Sequence, residues 1–138
     1  MPTSILIDLN VIIDVFLERK GFEASSNVIQ LGELGNHTLY ISAHMVTTFA
    51  YLLENAKVPH QQIRRHIDWV LNVFTVIPVD EALLSRALKS NIRDYEDAVI
   101  EQAAHMSGLT VIITRNVKDF KSSIIKALTP EEYRQTLN

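Results

Sequence analysis

Asp8 closes the apolar run Ser4-Ile5-Leu6-Ile7 and leads at once into Leu9-Asn10 and a helical pattern. Far along the chain, Arg93-Asp94-Tyr95-Glu96-Asp97 opens a second helical stretch. A third segment, Thr114-Arg115-Asn116-Val117-Lys118-Asp119-Phe120, follows the apolar run Val111-Ile112-Ile113. Carboxylates just past strand ends and in first helical turns are how an α/β sheet collects oxygen ligands for a hard cation. A carboxylate ending a buried strand is costly unless it is paired or bound to a cation, so Asp8 carries this reading best.

The spacing within each segment sharpens the grouping. Asp94 and Asp97 are three residues apart and share one helix face, with Cβ atoms about 5–6 Å apart. Tyr95 and Glu96 then point elsewhere. Glu101 follows the Asp97 face but lies four residues further down the helix, at about 1.5 Å per residue, outside the cluster. Bland readings stand beside these. Asp94 with Asp97 also fits a capping pair at a helix start. Asp119 fits a turn residue or cap, and Asp14 either supports Asn10 or is simply solvated. Thr114 either bonds its own backbone or offers a hydroxyl to the site.

These residues meet only if the elements around them form a parallel sheet. Four continuous apolar runs read as buried strands: Ser4–Ile7, Thr38–Ile41, Val73–Ile77 and Thr110–Ile113, with a weaker fifth at Ile124–Leu128. Their continuous apolarity implies a sheet covered on both faces. Helical patterns alternate with them. Asn10 is placed to cap the first, whose apolar face includes Val11, Ile12, Val15 and Phe16. The others span Phe22–Gly35 (with Gly32, Gly35 and Asn36 as stop signals), Ser42–Ala56, Pro59–Asn72, Asp80–Leu88 and Asp94–Met106. In such an alternation every strand delivers its following loop to one common edge. Asp8 and Asn10, Asp94 and Asp97, and Asn116 and Asp119 therefore share one rim. The tail from Thr129 is polar and is expected on the surface.

Composition bounds the rest. The chain has 138 residues, 47% hydrophobic and 21% charged, the profile of one soluble domain spanning residues 1–138. It has no cysteine, which excludes disulfides and thiolate sites and fits a reducing, cytoplasmic setting. Asp8, Asp14 and Glu18 interrupt the apolar N-terminus, against a signal peptide or membrane span. The net charge of −3 argues against a broad basic nucleic-acid face, although a clustered acidic site biases that total. Local cations are present: Arg93, Arg115 and Lys118 flank the acidic segments. Lys57, His60, Arg64, Arg65 and His66 surround the proline-started helix, where a solvated face is the simpler reading. His105, far down its helix, reads as structural.

The blocks Ile7-Asp8-Leu9-Asn10-Val11-Ile12-Ile13-Asp14, Asp94-Tyr95-Glu96-Asp97-Ala98 and Ile113-Thr114-Arg115-Asn116-Val117-Lys118-Asp119-Phe120 resemble, in order and spacing, the PIN-domain family of metal-dependent nucleases. The resemblance implies a three-layer α/β/α sandwich with strand order 3-2-1-4-5. It implies Mg²⁺ or Mn²⁺ held by Asp8, Asp94, Asp97 and Asp119, which become the catalytic set. Asn10, Asp14, Thr114 and Asn116 support it, and Arg93, Arg115 and Lys118 are the candidate RNA contacts. It further implies an endoribonuclease, most often the toxin of a VapBC-type pair with a small antitoxin protein as partner, and a homodimer. The dimer surface expected here is Phe22–Gly35 with Ser42–Ala56, including Phe49, Tyr51 and Leu52. One departure stands out: many PIN domains carry a glutamate six residues beyond the equivalent of Ser42, where this chain has Thr48.

A non-catalytic PIN-like binding module is the main alternative, favoured by Thr48 and opposed by the remaining acids. A Mg²⁺-dependent phosphatase would want a second Asp where Asn10 stands, and a receiver domain would want paired acids near Asp8. Neither is present. No Ser/His/Asp triad, zinc-ligand spacing or phosphate-cradling glycine loop is present either.

Overall fold

Consecutive residues of a strand point to opposite faces of its sheet, and in the first strand Ile5, Leu6 and Ile7 are all buried. Both faces of the sheet must therefore be covered, as expected for a parallel α/β sheet. The computed structural model, which describes residues 2–137, has this architecture. Strands β1 (Thr3–Ile7), β2 (His37–Ser42), β3 (Phe74–Ile77), β4 (Val111–Ile113) and β5 (Lys126–Leu128) form one parallel sheet in the order β3-β2-β1-β4-β5. The helices are α1 (Leu9–Phe16), α2 (Phe22–Glu33), α3 (Ala43–Asn55), α4 (His60–Val73), α5 (Glu81–Ala87), α6 (Tyr95–Met106) and α7 (Pro130–Thr136). A 3₁₀ turn spans Val117–Phe120.

The central strands carry the core. Leu39 and Ile41 of β2 and Ile112 and Ile113 of β4 are each at most 1% exposed beside β1. Because β1 and β4 are neighbours, with Ile7 opposite Ile113, their C-terminal ends deliver Asp8 and Thr114 side by side. Among the described residues no helix is long and apolar enough to cross a membrane.

Several local expectations need correction. The cap of α1 is Asp8, not Asn10: the Leu9 amide donates to Asp8 Oδ1 at 2.7 Å. Ser42 precedes α3 but makes no capping bond; its hydroxyl meets His44 Nδ1 at 2.9 Å. Gly32 lies inside α2, not at its stop. A Cβ there would stand 2.6 Å from Leu39 side-chain carbons, so glycine is what lets α2 approach β2. Phe49 is core at 1% exposure, which removes it from the expected dimer surface; Tyr51 and Leu52 are exposed.

The C-terminal segment lies at the surface with Glu131, Glu132, Arg134 and Gln135 exposed, but it is an ordered helix anchored by buried Pro130 and Tyr133. Thr129 and Glu132 form a reciprocal capping box that starts α7. Its one large aromatic, Tyr133, is buried, and its hydroxyl lies 2.6 Å from His37 Nε2 on β2. His105 is exposed in the last turn of α6 and packs nothing into the core.

Candidate active site

Asp8 is fixed from every side. Its backbone amide continues the sheet by donating to the Ile113 carbonyl at 2.8 Å. Oδ1 accepts from the Leu9 amide, and Oδ2 accepts from the Thr114 hydroxyl at 2.8 Å and from Asn10 Nδ2 at 3.3 Å. Asn10 in turn accepts from the Arg115 amide at 3.1 Å, while the Asn116 amide donates to Thr114 Oγ1 at 3.1 Å. Asp8, Asn10 and Thr114 thus stitch the ends of β1 and β4 together. Burial pushes the Asp8 carboxyl up to about 6, and the hydrogen bonds from Thr114 and Leu9 oppose that rise.

Across the rim, α6 presents its first turn. Asp94 caps it by accepting from the Asp97 amide at 3.0 Å. The capping role and a place at the rim coexist, because Asp94 is exposed. Asp97 is half-buried and its carboxyl is pushed up to about 7. Burial is the main cause, followed by the charges of Asp8, Asp94, Asp119 and Glu96. Asp119 reaches this group from the exposed 3₁₀ turn after β4.

Two clefts open on either side of Asp97. The wider, about 550 Å³, is lined by Arg93, Asp94, Asp97, Lys118 and Asp119. The narrower, about 250 Å³, is lined by Asp8, Asn10, Asn116, Glu96, Thr48 and Arg19, and again by Asp97. Carboxylate, amide and hydroxyl oxygens are the donor set of a hard divalent cation. Among the described residues, no three acidic or histidine groups are drawn close enough to hold an ion as they stand. The fit is one of chemistry and convergence: Asp8 and Asp94 are held by their capping bonds, and Glu96 and Asp119 line the same clefts as exposed carboxylates.

Glu96 and Arg19 are the residues that sequence reasoning missed. At about 100° per residue, Asp97 lies angularly between Asp94 and Glu96, so the two flank it and face different clefts. Glu96 therefore lines the narrow cleft, whereas the i, i+3 pairing of Asp94 with Asp97 implies that it points away. Arg19 follows Glu18, whose φ is +48°, and the Arg19 amide donates to the Asp14 carbonyl at 3.0 Å. That reversal brings a cation beside the acids, and no periodic pattern announces it.

Arg115 also needs correction, since it is not a free cation for phosphate. Its Nε donates to Asp14 at 2.7 Å, and its remaining donors go to Glu131, Ser25 and the Gly21 carbonyl. Asp14 is likewise no solvated acid but 5% exposed beneath this clamp. Arg93 and Lys118 are exposed on the wider cleft. Removing one partner of a buried ion pair costs about 3–5 kcal/mol. Arg115→Ala is therefore expected to lower stability by an amount near that range in urea unfolding. Unchanged stability with weakened RNA binding would return Arg115 to the list of phosphate contacts.

The sequence profile of the PIN domain matches residues 4–118. Ribonuclease VapC1 of Aquifex aeolicus (strain VF5) is 29% identical over 141 residues, spanning 98% of this chain and 96% of that relative. A toxin–antitoxin complex from Klebsiella pneumoniae contains a chain that matches with a TM-score of 0.70 at 25% identity, over 92% of this chain and 98% of that one. A chain of VapBC-1 from nontypeable Haemophilus influenzae gives 0.70 at 20% identity, over 94% and 99%, a likeness of fold.

Proposed function

The chain belongs to the PIN-domain family, and on that premise we propose that it is a divalent-metal-dependent endoribonuclease and the toxin of a toxin–antitoxin pair. The observation that carries the metal-dependent reading is Asp97, a half-buried carboxylate surrounded by the charges of Asp8, Asp94, Asp119 and Glu96. Such a group is costly without a cation and well suited to one. Mg²⁺ or Mn²⁺, when bound, would supply charge against the phosphate and make water a stronger nucleophile. Asp8 and Asp97 are assigned as direct ligands, with Asp94 and Asp119 acting directly or through water.

The chain's other residues hold and orient. Asn10 and Thr114 fix the Asp8 carboxylate, and Asn116 lines the same cleft. Arg93 and Lys118 on one side and Arg19 on the other are positioned to meet backbone phosphates. RNA as substrate rests on the ribonuclease relative, and a small antitoxin partner on the toxin–antitoxin neighbours. A homodimer is proposed through exposed apolar residues of α3, Tyr51 and Leu52, and a monomer in light scattering at micromolar concentration would reject it.

Thr48 favours a second reading, a PIN-like binding module without turnover, because α3 places a neutral hydroxyl in the narrow cleft. Cleavage itself separates the readings, and the end groups of the products identify the nucleophile. Hydrolysis by an activated water leaves no 2′,3′-cyclic phosphate, whereas attack by the RNA's own 2′-hydroxyl does. Purified protein with Mn²⁺ is expected to give products free of cyclic phosphate. Cyclic ends would mean that the 2′-hydroxyl and not water is the nucleophile, and no cleavage at all would favour the binding module.

A further inference from the structure

The wall of the narrow cleft formed by α3 brings no charge. Thr48 lines it, but its hydroxyl donates to the His44 carbonyl of its own helix at 3.0 Å. Opposite, α6 places Glu96 in the same cleft as Asp8 and Asp97. One cleft is thus lined by Asp8 from the end of β1, by Glu96 and Asp97 from the first turn of α6, and by Thr48 from α3. Glu96 is exposed and is the second residue of the helix, where the side chain can swing without disturbing the core.

We propose that Glu96 is a metal ligand of this site, closing the cup from α6 on the side where Thr48 leaves α3 without a carboxylate. This rests on the metal-dependent reading above. Asp94 and Glu96 then flank Asp97 as two arms, one for each cleft. An acid at position 48 and an acid at position 96 enter the same space, so either can complete the narrow side. With neither present, the narrow side offers the ion only the carboxylates of Asp8 and Asp97, and affinity follows ligand charge.

Calorimetric titration of the chelator-stripped full chain with Mn²⁺ tests this without reference to activity. Glu96→Gln is expected to weaken Mn²⁺ binding by about 10- to 100-fold or more, the range seen even for residues that only support metal ligands. Adding Thr48→Glu to Glu96→Gln is expected to restore binding to within a fewfold of wild type. Glu33→Gln, an exposed acid on α2, controls for general negative charge and should change nothing. Wild-type affinity in Glu96→Gln, with binding lost in Asp8→Asn, overturns the assignment of Glu96 alone. A loss that Thr48→Glu fails to restore overturns it as well, since Glu96 would then act as diffuse charge. Failure of wild type to bind, or wild-type binding in Asp8→Asn and Glu96→Gln alike, brings down the metal-dependent reading itself.

Discussion

Asp8→Asn removes RNA cleavage while leaving the metal-free fold at least as stable as wild type. The two halves of that expectation come from different atoms of one side chain. Oδ1 caps α1, and asparagine caps nearly as well as aspartate. The charge on Oδ2 is what a cation needs and what the metal-free fold tolerates poorly. Moving the Asp8 carboxyl from 3.8 to about 6 corresponds to about 3 kcal/mol against the ionised form at neutral pH. The amide loses that penalty. It also sets an NH₂ group against the Thr114 hydroxyl and Asn10 Nδ2, which takes back part of the gain. Cleavage is expected to fall by more than the about 10- to 100-fold typical of losing an outer partner of a metal ligand. Urea unfolding in chelator, run beside a cleavage assay, checks both halves. Retained cleavage would remove Asp8 from the chemistry, and a collapse in stability would make it a structural cap first.

The second expectation concerns pH. The unfolded chain ionises its aspartates near 3.8, whereas the folded protein holds Asp8 to about 6 and Asp97 to about 7. Below the unfolded value both states are protonated and these groups cost nothing. As pH rises, the unfolded state gives up its protons first, so the native state loses ground from about pH 4 until Asp97 has ionised near pH 7. A divalent cation that binds the ionised site adds stability in the upper part of the same window. At 100 times its dissociation constant the gain is about 2.7 kcal/mol. His37 and His44, which burial makes harder to protonate, pull the other way as pH rises towards 6.5. The effect is therefore read against Asp8→Asn. In chelator the melting temperature of wild type should fall relative to that variant between about pH 4 and 7, and Mn²⁺ should give wild type its largest increase at the upper end. Parallel pH profiles with and without Mn²⁺ would count against metal binding at these residues.

The sheet and the rim were legible because both follow from topology. Continuous apolar runs alternating with helical patterns have few solutions other than a parallel sheet, and a parallel sheet sends Asp8, Asp94 and Asp119 to one edge. What stayed hidden depends on partners distant in sequence or on angles finer than a face. Arg115 looked like any loop cation until Asp14 and Glu131 were placed around it. The tail looked polar because the partner of Tyr133 is His37, at the other end of the chain. Glu96 was lost to too coarse a view of the helix, and Arg19 to a turn with positive φ at Glu18. Phe49 lies on a helix whose two faces are both partly apolar, and only packing distinguishes the core side.

The most direct test of metal-dependent hydrolysis is the cleavage rate of chelator-stripped protein on single-stranded RNA as Mn²⁺ is added back. The geometry around Asp97 predicts no cleavage at zero metal, a saturable rise as Mn²⁺ is added, and a flat line for Asp8→Asn. Equal RNA loss in EDTA and in Mn²⁺, or equal loss with Asp8→Asn, would contradict it.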